Sequence, residues 1–330
     1  MTRGRDNRDS GARAVPDAHG VRPADLVALV GFDEEVYENH AFARERLARP
    51  GEPPHPLGAT IEQWLGRGRR TWIDVRGRQI EGIATARELG ARVWLIDALV
   101  DASDGVATND VLAALLRKAR DTAIEDRVTH LLLRTRLDSP AYLAAMHCGF
   151  KPVRVEETWL GSLAAAPGID GGAFTIRRAS DHDDFGRFQL FHRLLPLDAR
   201  EAVALSLDEW QRARERRWLQ RGGSEWVALA NDVIVGTLQL QPGGHAQLEV
   251  LAESQQCAAA LLDHAQTILQ RRSAAPVLAV APAAVPVIGA ALAAAGLQQH
   301  GEFVALCQRL ARPIAATERV RSRLAVPTRG

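Results

Sequence analysis

The stretch WLGRGRRTWIDVRGRQIEGIA, residues 64–84, returns 154 positions later as WLQRGGSEWVALANDVIVGTL, residues 218–238. Without a gap, Trp64 falls on Trp218, Leu65 on Leu219, Arg67 on Arg221, Gly68 on Gly222, Trp72 on Trp226, Ile80 on Ile234 and Gly82 on Gly236. Ordinary residue usage gives roughly one identity over such a window, and far fewer Trp pairs. The chain is a duplication, so whatever it folds into must be built twice. Its 330 residues suit two units of ordinary domain size.

The repeat extends beyond this block. VRPAD at 21–25 answers IRRAS at 176–180, with Arg22 over Arg177 and Ala24 over Ala179. Each copy then shows one order of elements. A short strand leads into helical territory, residues 25–49 and 181–220. Two strands joined by a tight turn follow, TWIDVR with QIEGIATARE and EWVALA with VIVGTLQLQ. A fourth strand comes next, RVWLIDALV or AQLEVLA. Apolar residues at helical spacing then mark a long helix: Val111, Leu112, Leu115, Leu116 and Ala119 in one copy, Leu261, Leu262, Ala265, Ile268 and Leu269 in the other. A fifth strand, THLLLRT or PVLAVA, precedes an Ala-rich helix closed by Gly149-Phe150 or Gly296-Leu297, and a last strand pair is expected to end each copy. This divides the chain into a polar tail at 1–19, a first domain at 20–162, a linker at 163–173, a second domain at 174–312 and a C-terminal tail at 313–330.

Apolar and charged contents of 46% and 25% are those of a globular protein. A net charge of +1 gives no field that would select nucleic acid or anionic lipid, so neither partner is expected. Cys148, Cys257 and Cys307 lack the paired spacing of a zinc site and read as buried apolar residues. No run reaches the ~18 apolar residues of a membrane span. Charges stand where a signal peptide needs an apolar core, and the expectation is a cytoplasmic protein.

The element order, together with AAMHCGFKPV at 144–153 and the weaker GAALAAAGLQQHGE at 289–302, resembles the GNAT acetyltransferase superfamily over residues 20–312. The resemblance implies an α/β (α+β) fold of two tandem GNAT-like acyl-CoA N-acyltransferase domains, each a mixed central sheet flanked by helices. It implies acetyl-CoA as acyl donor and a small-molecule or protein amine as acceptor. In the family the fourth and fifth strands splay, the cleft takes the pantetheine arm, and the pyrophosphate rests on the N-terminus of the long helix, where unpaired amides favour an anion. Carried onto the first copy, donor binding falls on Leu99, Val100, Gly105, Val106, Ala107, Thr108 and Asn109. The loop departs from the family's Gln/Arg-x-x-Gly-x-Gly/Ala pattern, and its Asp101 and Asp104 would repel a pyrophosphate. The second copy departs further, with Glu253 at the basic position and Gln256 at the first glycine.

Amine acylation needs a base for the ammonium proton and an acid for the leaving thiolate. The family's acidic Tyr position holds Ala145 and Leu292 here, leaving Tyr142, one turn earlier, as the nearby phenol. Asp97 and Glu249, on the fourth strands, are the candidate bases; on an alternating strand either could instead face solvent. Glu34, Glu35 and Glu38 could rim a site for a cationic amine, although such a run is commonly a solvated helix face, as is the basic stretch holding Arg212, Arg214, Arg216, Arg217 and Arg221.

Two readings follow. One is an acyltransferase whose first copy holds the donor. The other is a non-catalytic binding or scaffold protein on the same fold. The first requires free amides at 105–109 beside an open cleft; the second requires a cleft that is closed or filled, for instance by Trp94.

Overall fold

The computed structural model describes residues 18–32, 37–47, 60, 68–77, 79–90, 92–103, 108–164, 173–197, 200, 206–214, 223–242, 246–271 and 276–310. Each copy opens on a short edge strand, β1 (Ala18–Gly20) or β7 (Thr175–Arg178), antiparallel to the first strand of a meander. The meanders are β2 (Arg69–Arg76), β3 (Gln79–Gly90) and β4 (Val93–Asp101) in copy one, and β8 (Ser224–Ala230), β9 (Val233–Gln241) and β10 (Ala246–Ala252) in copy two. Asn231 and Asp232, the turn of the second meander, both take positive φ, 49° and 63°, as a two-residue hairpin in twisted strands demands. β1 begins two residues inside the segment read from sequence as a tail.

Long helices α2 (Thr108–Glu125) and α6 (Gln255–Gln270) cross to β5 (His130–Arg136) and β11 (Val277–Pro282), which lie parallel to β4 and β10. Short helices α3 (Pro140–His147) and α7 (Pro286–Ala294) start on proline, whose missing amide costs nothing there. Both stop at a glycine with φ of 90°, Gly149 or Gly296. The next amide, of Phe150 or Leu297, bonds back to Ala145 or Leu292 at 3.0 and 3.1 Å, closing the helix as a left-handed C-terminal residue does.

Among the described residues, the territory read as helix before each meander is broken in copy one and mostly helical in copy two. In copy one a 3-10 turn at Pro23–Asp25 leads into α1 (Leu26–Val30), and a further 3-10 turn follows at Arg44–Arg46, with Asn39–Ala43 extended before it. Copy two has α4 (Asp184–Leu194) and α5 (Leu207–Ala213). Among the described residues no helix is long and apolar enough to cross a membrane, and Cys148, Cys257 and Cys307 are buried thiols outside any disulfide.

The expected strand pair at the end of each copy is a single strand, β6 (Lys151–Gly161) or β12 (Gln298–Arg309), and the copies exchange it. β12 pairs with β5 of copy one, β6 pairs with β11 of copy two, and β6 and β12 pair with each other, all antiparallel. One twelve-stranded sheet results, ordered β1-β2-β3-β4-β5-β12-β6-β11-β10-β9-β8-β7. Glu156 stands opposite Phe303, and each lies seven residues beyond its copy's glycine, so a pseudo-twofold passes between them. The sheet curls. Glu45 holds Arg87 of β3 with its carboxylate and Gln247 of β10 with its carbonyl, although those strands are six places apart and a flat sheet would separate them by roughly 30 Å.

The repeated glycines have a packing cause. A Cβ on Gly82 would sit 2.5 Å from Val111 and 2.9 Å from Leu115; on Gly236, 2.5 Å from Cys257 Sγ and 2.9 Å from Leu261. Each meander therefore lets its long helix touch the strand backbone. Trp72, 1% exposed, donates its indole N–H to Thr122 of α2, and Trp226 meets His264 of α6 edge to face. The duplicated letters mark where helix and sheet interlock, in two matching cores.

At the centre, Glu156 is 1% exposed and ringed by Arg44 (3.1 Å), Arg134 (2.7 Å) and Arg154. Burial alone would raise its pKa. The Arg134, Arg154 and Arg44 guanidiniums outweigh that and hold the carboxyl well below its usual range. A depressed folded-state pKa means stability present above the unfolded value, about 4.3, and lost as the pH falls through the folded one.

Two outcomes are expected. Gly236→Ala should destabilise the protein by about 1–3 kcal/mol through overpacking, and adding Cys257→Ala should recover part of the lost melting temperature, which a double-mutant cycle reads directly. Glu156→Gln should cost about 3–5 kcal/mol at pH 7, because the arginines keep their charge in a buried place. Denaturant melts across pH should show the gap from wild type shrinking below about pH 4, as the carboxyl of the unfolded wild-type chain takes up a proton that the folded one does not.

Candidate functional site

β4 and β5 are paired only from Val93 opposite His130 to Ile96 opposite Leu133, and beyond Ile96 they part. The wedge between them is where the family resemblance lays the pantetheine arm. It is filled by the chain itself. Leu99 donates its N–H to the Asn39 side-chain carbonyl at 2.9 Å and accepts from the His40 N–H at 2.8 Å; on the other side, Phe42 donates its N–H to the Arg134 carbonyl at 2.8 Å. Asn39 also bridges Val100 as a strand residue would. Ala41 is 0% exposed, and Phe42 packs edge to face on Phe303 at 5.0 Å. His40 is buried with its Nδ1 3.1 Å from Ser139 Oγ, and burial lowers its pKa against the opposing pull of Glu38 and Asp101. Leu99 thus offers its cleft-side backbone groups to an internal segment, and Val100 stands opposite Asn39 of that segment. Trp94 does not fill the wedge; it packs with Trp72 in the core beneath α2.

The remaining candidates are dispersed. Gly105, Val106 and Ala107 lie outside the described residues, as do Glu34 and Glu35; Thr108 and Asn109 begin α2. Glu38 is exposed. Asp97 is buried, held by the Thr85 hydroxyl at 2.6 Å and by Arg69 at 2.9 Å. Tyr142 is half-buried against the core shared by α2 and α3. Ala145 and Leu292, at the acid position, are buried apolar residues. In copy two, the Ser254 hydroxyl caps α6 by accepting the Cys257 N–H at 3.1 Å, and Glu253 beside it is paired with Arg193. Glu249 alone among the candidate bases faces a cavity, and there it pairs with Arg44 at 2.8 Å.

That cavity, of about 150 Å3, opens where the copies meet, beneath α4 and α5 and over strands of both copies. Arg44, Arg134, Arg154, Arg187 and Arg214 line it with Glu249. Behind the wall, Glu225 takes Arg187 at 3.0 and 3.1 Å, Arg214 at 2.5 Å and the Gln239 amide at 2.5 Å. Asp184 takes Arg214 at 3.3 Å and the Gln211 amide at 2.8 Å. Burial would raise the Glu225 pKa, but Arg187 and Arg214 bring it down to about 2, so the carboxylate is charged throughout the physiological range. Arg214 lies over the Trp210 ring at 4.8 Å. Far from sitting on a solvated face, as its basic stretch suggests, it is a wall of this cavity. Arg134 and Arg154 were a missed signal, since an arginine at an inward position of a central strand requires a buried partner.

Among the described residues no cluster of His, Cys, Asp and Glu could hold a metal ion. No protein-family model matches the sequence, and no curated protein matches it. Solved structures do. A GCN5-related N-acetyltransferase from Sphaerobacter thermophilus is 16% identical, with 90% of this chain and 96% of that one covered at a TM-score of 0.54. A tandem GNAT protein from the clavulanic acid biosynthesis pathway is 14% identical, covering 89% and 98% at 0.48, and a GCN5-related N-acetyltransferase from Kribbella flavida is 18% identical, covering 90% and 72% at 0.45. Over nine-tenths of its length, this chain has the fold of the GCN5-related N-acetyltransferases, in two copies that trade their last strands.

Proposed function

We propose that the protein is a binding module on the acetyltransferase fold, in which the paired copies hold a small ligand and do not transfer an acyl group. The observation that carries this is the filled wedge of copy one, where Asn39–Ala43 takes the hydrogen bonds a donor's amide arm would need. Three further features support it. Asp97 and Glu249, the candidate bases, each already hold a guanidinium. No phenol stands at the acid position. In copy two the helix start that would receive a pyrophosphate has its own serine cap and a neighbouring Glu253, whose charge opposes an anion.

A second reading is acyl-CoA-dependent acylation of a small-molecule or protein amine, with copy one as the donor-binding half. What favours it is the shared fold and the chemistry of the plug. Asn39 and His40 present to Leu99 an amide carbonyl and an amide N–H, the groups that the donor's arm would present if it displaced them.

Calorimetric titration of acetyl-CoA and of CoA into the full chain separates the readings. No saturable heat and no thermal shift at millimolar ligand is the expected result. A micromolar isotherm with one site per chain, accompanied by acetyl transfer to an amine, would overturn the proposal, and loss of that isotherm in Gly105→Glu would assign the donor to copy one.

A further inference from the structure

The cavity between the copies has no counterpart within either copy alone, since its wall draws on β4, β5, β6, β9, β10, β12, α4 and α5 together. Its polar lining is biased. Five guanidiniums face it against one carboxylate, while Glu156, Glu225 and Asp184, which orient those arginines, are not part of the lining. Donors held from behind are preorganised for whatever enters in front. Arg187 shows this most directly. It is 5% exposed, both its terminal nitrogens are bound to Glu225, and its buried Nε has no hydrogen-bond partner among the described residues. A guanidinium in the cavity wall with one donor unmet leaves that wall short of an acceptor.

The rest of the lining is apolar and aromatic, with Trp210, Phe191, Leu195 and Leu251 on the copy-two side. A volume of about 150 Å3 is on the order of that which holds a benzene ring. An occupant that is all charge would leave those walls uncovered, and one that is all hydrocarbon would leave the Arg187 Nε unmet. We propose that this cavity binds a small organic anion, a carboxylate carried on a compact ring or branched apolar body, with the anionic head at Arg187 and the body against Trp210 and Phe191. Guanidinium suits such a head because its planar fork matches a carboxylate edge. Glu249, tied to Arg44, excludes a second negative charge at that end of the cavity.

This inference rests on the binding-module reading, and its test is separable from it. Benzoate is titrated into the full-length protein by calorimetry, with benzamide as the uncharged isostere and inorganic phosphate as a head without a body. One benzoate per chain is expected, bound at least tenfold more tightly than either control. Arg187→Lys should weaken benzoate at least tenfold while leaving benzamide unchanged. Leu251→Phe, which fills the cavity from the wall without touching the ion network, should exclude benzoate from a protein whose melting curve remains cooperative. Equal binding of benzamide, equal binding of phosphate, no benzoate heat at millimolar concentration, or indifference to both variants would each overturn the proposal. Acetyl transfer from acetyl-CoA would sink the binding-module reading whatever benzoate does. Silence toward benzoate in a protein that also ignores acetyl-CoA would sink only the ligand class.

Discussion

Everything at the centre of this molecule hangs on one buried carboxylate. Glu156 stands at the pseudo-twofold, on the strand that copy one hands to copy two, and it gathers Arg134 from β5, Arg154 from its own strand and Arg44 from the segment crossing the concave face. An ion cluster in such a place is poor evidence of stability by itself, because desolvation takes back most of what the Coulomb attraction gives. Its effect is on arrangement. A carboxylate that must be ringed by guanidiniums permits one register of β6 against β12 and one path for residues 39–47. A one-residue slip of β6 would turn Glu156 and Arg154 to the opposite face, into the apolar core under the long helices, and leave Arg134 and Arg44 without their carboxylate partner there.

Strand exchange then explains why the copies behave as one body. In two independent domains the sheet would end at each copy's last strand and leave two exposed edges. Here β6 and β12 each lie between strands of the other copy, and the sheet runs unbroken from β1 to β7. Curling brings β3 and β10 within reach of the same residue, Glu45. The concave face so formed shelters both the plug and the cavity.

Much of this was legible in the letters. The Trp and Gly repeats, Gly149 and Gly296 after their helices, and Asn231-Asp232 between strands are local rules, and each appears where its own geometry requires it. The exchange was not legible, because β6 and β12 read the same whether they pair within a copy or across copies; a strand's sequence records its faces and not its neighbours. The plug was read as helix because GFDEEVYENHAFARERLA carries helix formers and apolar residues at mixed spacing. Tertiary pairing with Leu99 and Arg134 overrides that weak propensity. The cavity was hidden for another reason. Arg154 and Glu156 alternate with valines along β6, a pattern that ordinarily means a solvent face, and only the curl of the sheet turns that face inward.

The same geometry links the two places where a ligand could act. The segment that fills the copy-one wedge with Asn39–Ala43 continues, one residue on, into Arg44, which spans Glu156 and Glu249 at the cavity. Withdrawing the plug from Leu99 would pull on Arg44, and loosening Arg44 would leave Glu156 and Glu249 short of a counter-charge in a buried site. The wedge and the cavity are therefore coupled through a single short stretch of backbone. Opening the one costs the ion pairs of the other, and whatever strengthens the cavity's ion network holds the wedge shut.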